Sequence, residues 1–311
     1  MSAKRILVVL FGPEGQGSFN QSGASGAERA HLQSPEHFIQ TVWIVPREPD
    51  ARATALARLC EEGWDLVVAH GGQGDAPVSR VAPSYPDRSF AITQGGWLAP
   101  NCASYEVLQE QSAFLAGVLA ALHSRTGVVA HLSGEKVRPG LKGRAAFADG
   151  VRAAGGHCRL VTGFCGHQHA PELSYALMRR HHEEGADVVF AMIDGGRPGV
   201  SRACRELGIV QIGNVLDWVA RDPEVFIASA IADSGSCVEQ AISDWLGGRW
   251  EGGTQRVFGV AHREFVRLHM RADIEARYRA VIESWSARLA AGDYEPATDY
   301  DGPEVSLVDN G

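Results

Sequence analysis

"EEGWDLVVAHGGQ" (61–73) returns, little changed, as "EEGADVVFAMIDGGR" (183–197). Each copy holds an acidic helix end, a glycine turn, an apolar run and a glycine pair. The pair sits in His70-Gly71-Gly72-Gln73 in the first copy and in Asp194-Gly195-Gly196-Arg197 in the second. "VSR" then follows in both, at 78–80 and 200–202. Four matches in one order imply two α/β lobes built alike, each running helix, turn, strand, glycine elbow, helix. The alternative is chance recurrence of a common α/β turn.

Short apolar runs bounded by turn residues read as strands buried on both faces. They are expected at 5–11, 38–45, 64–70, 88–93, 128–132, 159–164, 186–192, 208–213 and 225–231. Helical patterns lie between them, as at 51–62, 104–124 and 143–154. Such alternation predicts parallel sheets covered by helices. In such sheets ligands bind at the carboxyl ends of the strands. Glycines and polar side chains collect there at 12–20, 70–75, 94–97, 133–142, 194–199 and 214–218.

A chain of 311 residues with 45% apolar and 21% charged residues fits two globular domains. The net charge of −8 gives no basic footprint for nucleic acid or an acidic membrane. No run approaches the roughly 18 apolar residues of a membrane helix, and no export signal is visible as the sequence stands. The six cysteines are scattered without a CxxC pair, which predicts reduced core thiols and no disulfide framework. "CRLVTGFCGHQH" (158–169) brings two Cys and two His close together, but its spacing is unusual for zinc and no metal is assigned.

The first loop, "GPEGQGSFNQ" (12–21), follows the first strand as a phosphate cradle would. Gly12 and Gly17 have the Walker spacing, yet Ser18 stands where lysine is required. The dinucleotide pattern fails at Asn20, where its third glycine should fall. The loop instead delivers Phe19 and Asn20 to a helix start. Two uses are open: Phe19 stacks on a ligand while Asn20 reads a heterocycle edge, or Phe19 packs in the core and Asn20 caps the helix.

"GSFNQSGASG" (17–26) resembles the entry motif of the basic membrane protein family, the PnrA-like solute-binding components of ABC transporters. The likeness continues through "NCASYEVLQEQSAFLAGVLAALHSRTGVV" (101–129), "ADVVFAMIDGGRPGVSRAC" (186–204), "GIVQIGNVLDW" (208–218), "PEVFIASAIADSGSCVEQAI" (223–242) and "GGRWEGGTQRVFGV" (247–260). The resemblance implies an α/β, type I periplasmic-binding-protein fold, with two Rossmann-like lobes of parallel sheet joined by a hinge and closing on ligand. The lobes are expected at 1–124 with about 233–258, and about 125–232 with 259–311. It also implies a purine base or nucleoside-like ligand, stacked on Phe19 and read by Asn20, with Gly195 in the glycine elbow of the other lobe. An ABC-transporter permease is the implied partner if the protein is exported.

Three family features are altered. Where an aspartate commonly faces the ribose, this chain offers Asn214 or the nearby Asp217. A family lysine is replaced by Ala232, and Gln94 stands near a frequent aspartate. Amides bind a vicinal diol less well than carboxylates, so the expected ligand lacks ribose and is a purine-like base or another small heterocycle. Trp97 and Trp218 are candidates to fill the vacated space, or are ordinary half-buried tryptophans. His70 and Asp194 complete the expected polar contacts. No cofactor is expected.

Two other classes stay open. His70, His131 and Asp194 lie at or near strand ends, and His70 with Asp194 could form an acid–base pair. No nucleophile elbow or HExxH helix supports an enzyme. A ligand sensor or regulator is the third class. The first strand begins near Met1, which leaves no room for an N-terminal helix-turn-helix.

Overall fold

The structure, a computed structural model, describes residues 3–15 and 18–307. The chain divides into two compact units, Met1–Val107 with Asp233–Phe258, and Leu108–Ala232 with Gly259–Gly311. Elements are numbered along the whole chain.

The first unit is built on β1 (Arg5–Phe11), β2 (Phe38–Ile44), β3 (Leu66–His70), β4 (Ser89–Thr93), β5 (Cys102–Val107) and β11 (Gln255–Phe258). They form one sheet in the order β11-β5-β4-β3-β1-β2, with every pairing parallel. Helices α1 (Ser18–Gln33), α2 (Pro49–Cys60), α3 (Asp75–Val81) and α8 (Ser234–Leu246) accompany it. The central strands are buried almost end to end, as in "ILVVLF" of β1 and "LVVAH" of β3. Burial on both faces explains why these runs carry no polar alternation. The distant segments α8 and β11 are tied in through Asp244. This fully buried carboxylate accepts from Tyr105 Oη at 3.2 Å, Gln240 Nε2 at 2.9 Å, Arg249 Nε at 3.1 Å and Arg256.

The second unit contains β6 (Val128–Ser133), β7 (Arg159–Phe164), β8 (Val188–Met192), β9 (Val210–Val215), β10 (Phe226–Ala232) and β12 (Val266–Met270). Their order is β12-β10-β9-β8-β6-β7. Four pairings are parallel, and β12 lies antiparallel on β10. The helices are α4 (Gln109–His123), α5 (Arg138–Ala153), α6 (Pro171–Glu183), α7 (Arg197–Leu207) and α9 (Ala272–Ala291).

Both sheets follow one winding. The repeated "EEG" segments close α2 and α6 and lead into β3 and β8, which hold the same place in their sheets. Three strands were not anticipated: β5, β11 and β12. The stretch 104–124, read as one helix, is β5 followed by α4. Expectation placed the boundary between lobes at 124, whereas α4 falls in the second unit. The reason is glycine. A Cβ on Gly117 would lie 2.1 Å from the carbonyl oxygen of Phe147, and one on Gly150 would lie 2.0 Å from that of Phe114. The α4 and α5 backbones therefore touch, and α4 is buried nearly all round.

All six cysteines are free thiols, and only Cys158 is not fully buried. Among the described residues no helix is long and apolar enough to cross a membrane.

Candidate functional site

In the first unit the site is assembled where β1, β3 and β4 end. Asn20, in the first turn of α1, donates from Nδ2 to the Phe11 carbonyl at 2.9 Å. Its Oδ1 is buried without a hydrogen-bond partner. Gly12, with φ of 138°, makes this approach possible, since a Cβ there would sit 3.0 Å from Asn20 Nδ2. Gln16 and Gly17, part of the glycine loop and of the entry motif, lie outside the described residues.

Phe19 is half-buried and stacks on His70, with ring centroids 4.5 Å apart and planes at 26°. A relay of hydrogen bonds holds that imidazole. The Gly71 amide donates to Thr93 Oγ1 at 3.1 Å, and Thr93 Oγ1 lies 2.8 Å from His70 Nδ1. His70 Nε2 is 3.0 Å from the Phe19 carbonyl, which can only accept. Nε2 therefore carries the proton, and Nδ1 accepts from the threonine hydroxyl. Complete burial pushes the His70 pKa down to about 4, against weaker opposing effects of the Phe19 carbonyl and Asp233. The ring is neutral near pH 7.

His70 was expected as a ligand contact or as half of an acid–base pair; in this arrangement both its nitrogens are hydrogen-bonded inside the unit. It is the platform that fixes Phe19. Gly71 completes the arrangement: its φ is 99°, and a Cβ there would come within 3.0 Å of Phe19 Cε1. The two uses considered for Phe19 and Asn20 merge in part, because each is anchored locally while a ring and a carbonyl oxygen are left over.

Gln94, just past β4, has φ of 57°, and Val215, at the end of β9, has φ of 67°. They are the two non-glycine residues with positive φ among those described, and they end strands that hold the same place in the two sheets. Such backbone is uncommon outside glycine and gathers at functional sites. Gln94 Nε2 is buried with no oxygen or nitrogen acceptor, and its side chain faces the buried Cys237 thiol. Trp97, offered as a second aromatic wall, packs against the first unit's apolar core, and its amide donates to Asp75 at 3.1 Å.

In the second unit the matching strand ends carry a cation that sequence reasoning missed. Arg197, first residue of α7, is buried with 3% exposure. It donates to the carbonyls of Ala191 and Ile193 and to Asn214 Oδ1, and lies 4.3 Å from the Trp218 ring centre. Burial lowers its pKa to about 10, partly opposed by the Asp194 carboxylate, so it stays charged at neutral pH. The only hint in the sequence was the change from HGGQ to DGGR. Asn214 thus spends its acceptor on Arg197. Asp217 spends Oδ2 on His269 Nδ1, 2.8 Å away, and Oδ1 on the Ala220 amide at 3.2 Å. Trp218 stacks on Phe226, with centroids 5.6 Å apart, and donates from Nε1 to the Asn214 carbonyl at 2.9 Å. Asn214, Asp217 and Trp218 are therefore tied to one another's surroundings, with internal partners where ligand contacts were expected.

Gly195, in the second elbow, donates its amide to His169 Nδ1 at 3.3 Å. Asp194 accepts from the Arg197 amide through its carbonyl at 2.9 Å. His131, the remaining acid–base candidate, is fully buried between Thr162 Oγ1 at 2.8 Å and Ser133 Oγ at 2.9 Å. Burial holds it well below the usual histidine range. Among the described residues no group of three or more His, Cys, Asp or Glu is placed to hold a metal ion.

Two doubly wound units with parallel-dominated sheets, each with polar groups gathered at its strand ends, define a periplasmic-binding-protein-type α/β fold. A solute-binding protein of an ABC transporter system from Aeropyrum pernix K1 shares this fold, with a TM-score of 0.81 at 20% identity over 96% of this chain and 94% of that one. The chain belongs to the PnrA-like family of ABC transporter substrate-binding proteins (Bmp), whose model matches residues 3–280. The transcriptional activator protein med of Bacillus subtilis is 25% identical over 199 residues, or 64% of this chain and 62% of that protein. A purine-binding protein of Brucella abortus is 19% identical over 296 residues, covering 94% of this chain and 83% of its own. The chain spans less than two thirds of some curated relatives, 62% for med and 65% for an uncharacterized lipoprotein of Pyrococcus horikoshii.

Proposed function

We propose that this protein binds a small planar heterocycle of the purine-base class, and that Phe19, Asn20 and Gln94 form the recognising surface of the first unit. One observation carries the reading. Phe19 is stacked on His70, while the buried Asn20 Oδ1 stands without a hydrogen-bond partner among the described residues. Buried polar atoms are rarely left unpaired. An acceptor kept free beside a fixed aromatic ring suits a flat ligand that carries a donor on its edge. The purine-binding relative in Brucella abortus supports the class. The engagement of Asn214 and Asp217 with Arg197 and His269 supports a free base over a nucleoside, since each already has an internal partner and is held by it.

Titration calorimetry with hypoxanthine, adenine and their nucleosides tests this. A base–aromatic stack is worth about 1–3 kcal/mol, so Phe19→Ala should weaken base binding about tenfold or more. Unchanged affinity in that variant, or nucleosides bound far more tightly than bases, would overturn the reading. In the transport setting of the family, the partner is an ABC-transporter permease. A second setting is favoured by the likeness to med: a ligand-sensing regulator acting through another protein. Co-purification from cells with and without the base separates the two by the partner retained.

A further inference from the structure

Each sheet ends in an edge strand at the same place, β2 in the first unit and β7 in the second. An edge strand presents a row of unpaired main-chain groups, and proteins cover such edges or blunt them with charge, proline or short length. The chain covers β7 itself: the Val305 amide donates to Thr162 O at 2.8 Å, and Val305 and Leu307 pack against the second unit's apolar core. The opposite edges are blunted. β11 has four residues and carries Arg256, while β12 has five and carries Arg267 and His269. β2 has neither protection. Its seven residues, "FIQTVWI", hold no charge, glycine or proline, Phe38 is 51% exposed, and among the described residues the strand pairs only with β1.

The register with β1 fixes which groups are free. Phe38 donates its amide to Lys4 O at 2.8 Å, and Ile44 O accepts from the Gly12 amide at 3.0 Å. Main-chain groups alternate in direction along a strand. Phe38, Gln40, Val42 and Ile44 therefore face β1, and Ile39, Thr41 and Trp43 turn theirs outward. An antiparallel second β2 centred on Thr41 matches this edge residue for residue. Thr41 then meets Thr41 and Ile39 meets Trp43, each of these outward pairs exchanging both of its hydrogen bonds. Phe38 meets Ile44, so apolar and β-branched side chains stand opposite one another, as in stable sheets. Beyond the strand ends, Glu36 of one copy comes beside Arg47 of the other. Both are exposed, and the Glu36 carboxylate has only His37 near it in its own chain, at 3.6 Å.

We propose that β2 is a dimerisation edge: a second copy of this chain adds its own β2 across a two-fold axis, in the antiparallel register centred on Thr41, and joins the two first-unit sheets into one. A second copy is favoured over a foreign strand because the edge complements itself in hydrogen bonds, in apolar pairs and in the Glu36 and Arg47 charges. The inference goes beyond the ligand reading and does not depend on it.

Sedimentation velocity over a range of concentrations tests this on the full chain, and wild type should pass from monomer to dimer as concentration rises. Thr41→Pro removes an amide that β1 does not use and that both central hydrogen bonds of the dimer need, and an edge strand tolerates proline at such an outward position. The variant should keep its fold by far-UV circular dichroism and weaken the dimer about tenfold or more. Glu36→Arg and Arg47→Glu should each weaken it about threefold or more. An equimolar mixture of those two variants should regain it, because both contacts across the axis again carry opposite charges. Should Thr41→Pro fail to fold, the mixture decides. In amide exchange, Ile39, Thr41 and Trp43 should gain protection with concentration, while Gln40 and Val42 are protected throughout. A wild type monomeric at every concentration, a dimer that folded Thr41→Pro leaves intact, or charge variants that dimerise like wild type or are not rescued by mixing overturns the inference. Protection of Ile39, Thr41 and Trp43 in a monomer would assign the edge to other residues of the same chain and overturn it equally.

Discussion

Replacing Thr93 with valine keeps the shape of the side chain and removes one hydroxyl. That hydroxyl is the donor to His70 Nδ1 at 2.8 Å. In the variant the Gly71 amide keeps a partner, the Thr93 main-chain carbonyl at 3.0 Å. His70 Nδ1 does not, and it is fully buried. The tautomer cannot change to compensate, because Nε2 must still donate to the Phe19 carbonyl. The expected cost is that of an unsatisfied buried acceptor, about 1–3 kcal/mol. For a domain of this size that lowers the melting temperature by about 3–10 °C. The imidazole also loses its orientation and Phe19 its platform, so base affinity should fall several-fold although residue 93 touches no ligand. Urea denaturation and calorimetry measure the two effects. Thr162→Val, which removes the equivalent hydroxyl from His131, is the control: it should cost similar stability with base affinity kept. Thr93→Val with unfolding free energy within about 0.5 kcal/mol of wild type would refute the relay and the part assigned to His70.

Acidification should destabilise the first unit through His70. Its folded pKa of about 4 lies below the usual 6.5, so the unfolded chain binds the extra proton, and stability falls as pH drops between those values. From pH 7 to pH 5 the loss attributable to this residue is about 2 kcal/mol; a flat urea midpoint across that window would contradict its burial as a neutral ring. Gly117→Ala would place a methyl 2.1 Å from the Phe147 carbonyl and force α4 from α5. A loss of about 1–3 kcal/mol or more is expected, and a variant as stable as wild type would show that the helices do not touch as described.

Regular structure was readable where one physical rule governs it. Nine apolar runs became strands, the central ones because both faces of a helix-covered sheet are dry, and the echo at 61–73 and 183–197 located the equivalent strands β3 and β8. Strand β5 was misread because "SYEV" flows into an alanine- and leucine-rich helix with no breaker between them. β11 and β12 are short and half-exposed. They exist because a neighbouring strand edge was free, and local composition does not record that.

The site was legible in outline and not in roles. Phe19 and Asn20 were singled out from the entry loop, and the structure shows how each is anchored, Phe19 on His70 and Asn20 on the Phe11 carbonyl. His70 looked like a ligand contact because a histidine beside two glycines at a strand end is usually accessible. Thr93, 23 residues away, takes its Nδ1, and the Phe19 carbonyl, 51 residues away, takes its Nε2. Arg197 went unread for the same reason, its partners Ala191, Ile193 and Asn214 being set by the fold.

Hydrophobic periodicity and an internal duplication act along the chain, so the sequence by itself determined a pair of helix-covered sheets, their winding and the two glycine elbows. Which polar atoms are consumed and which stay free depends on groups brought together across tens of residues. Only the tertiary structure decided that His70 serves Phe19, that Arg197 takes Asn214, and that the second elbow holds a histidine ring.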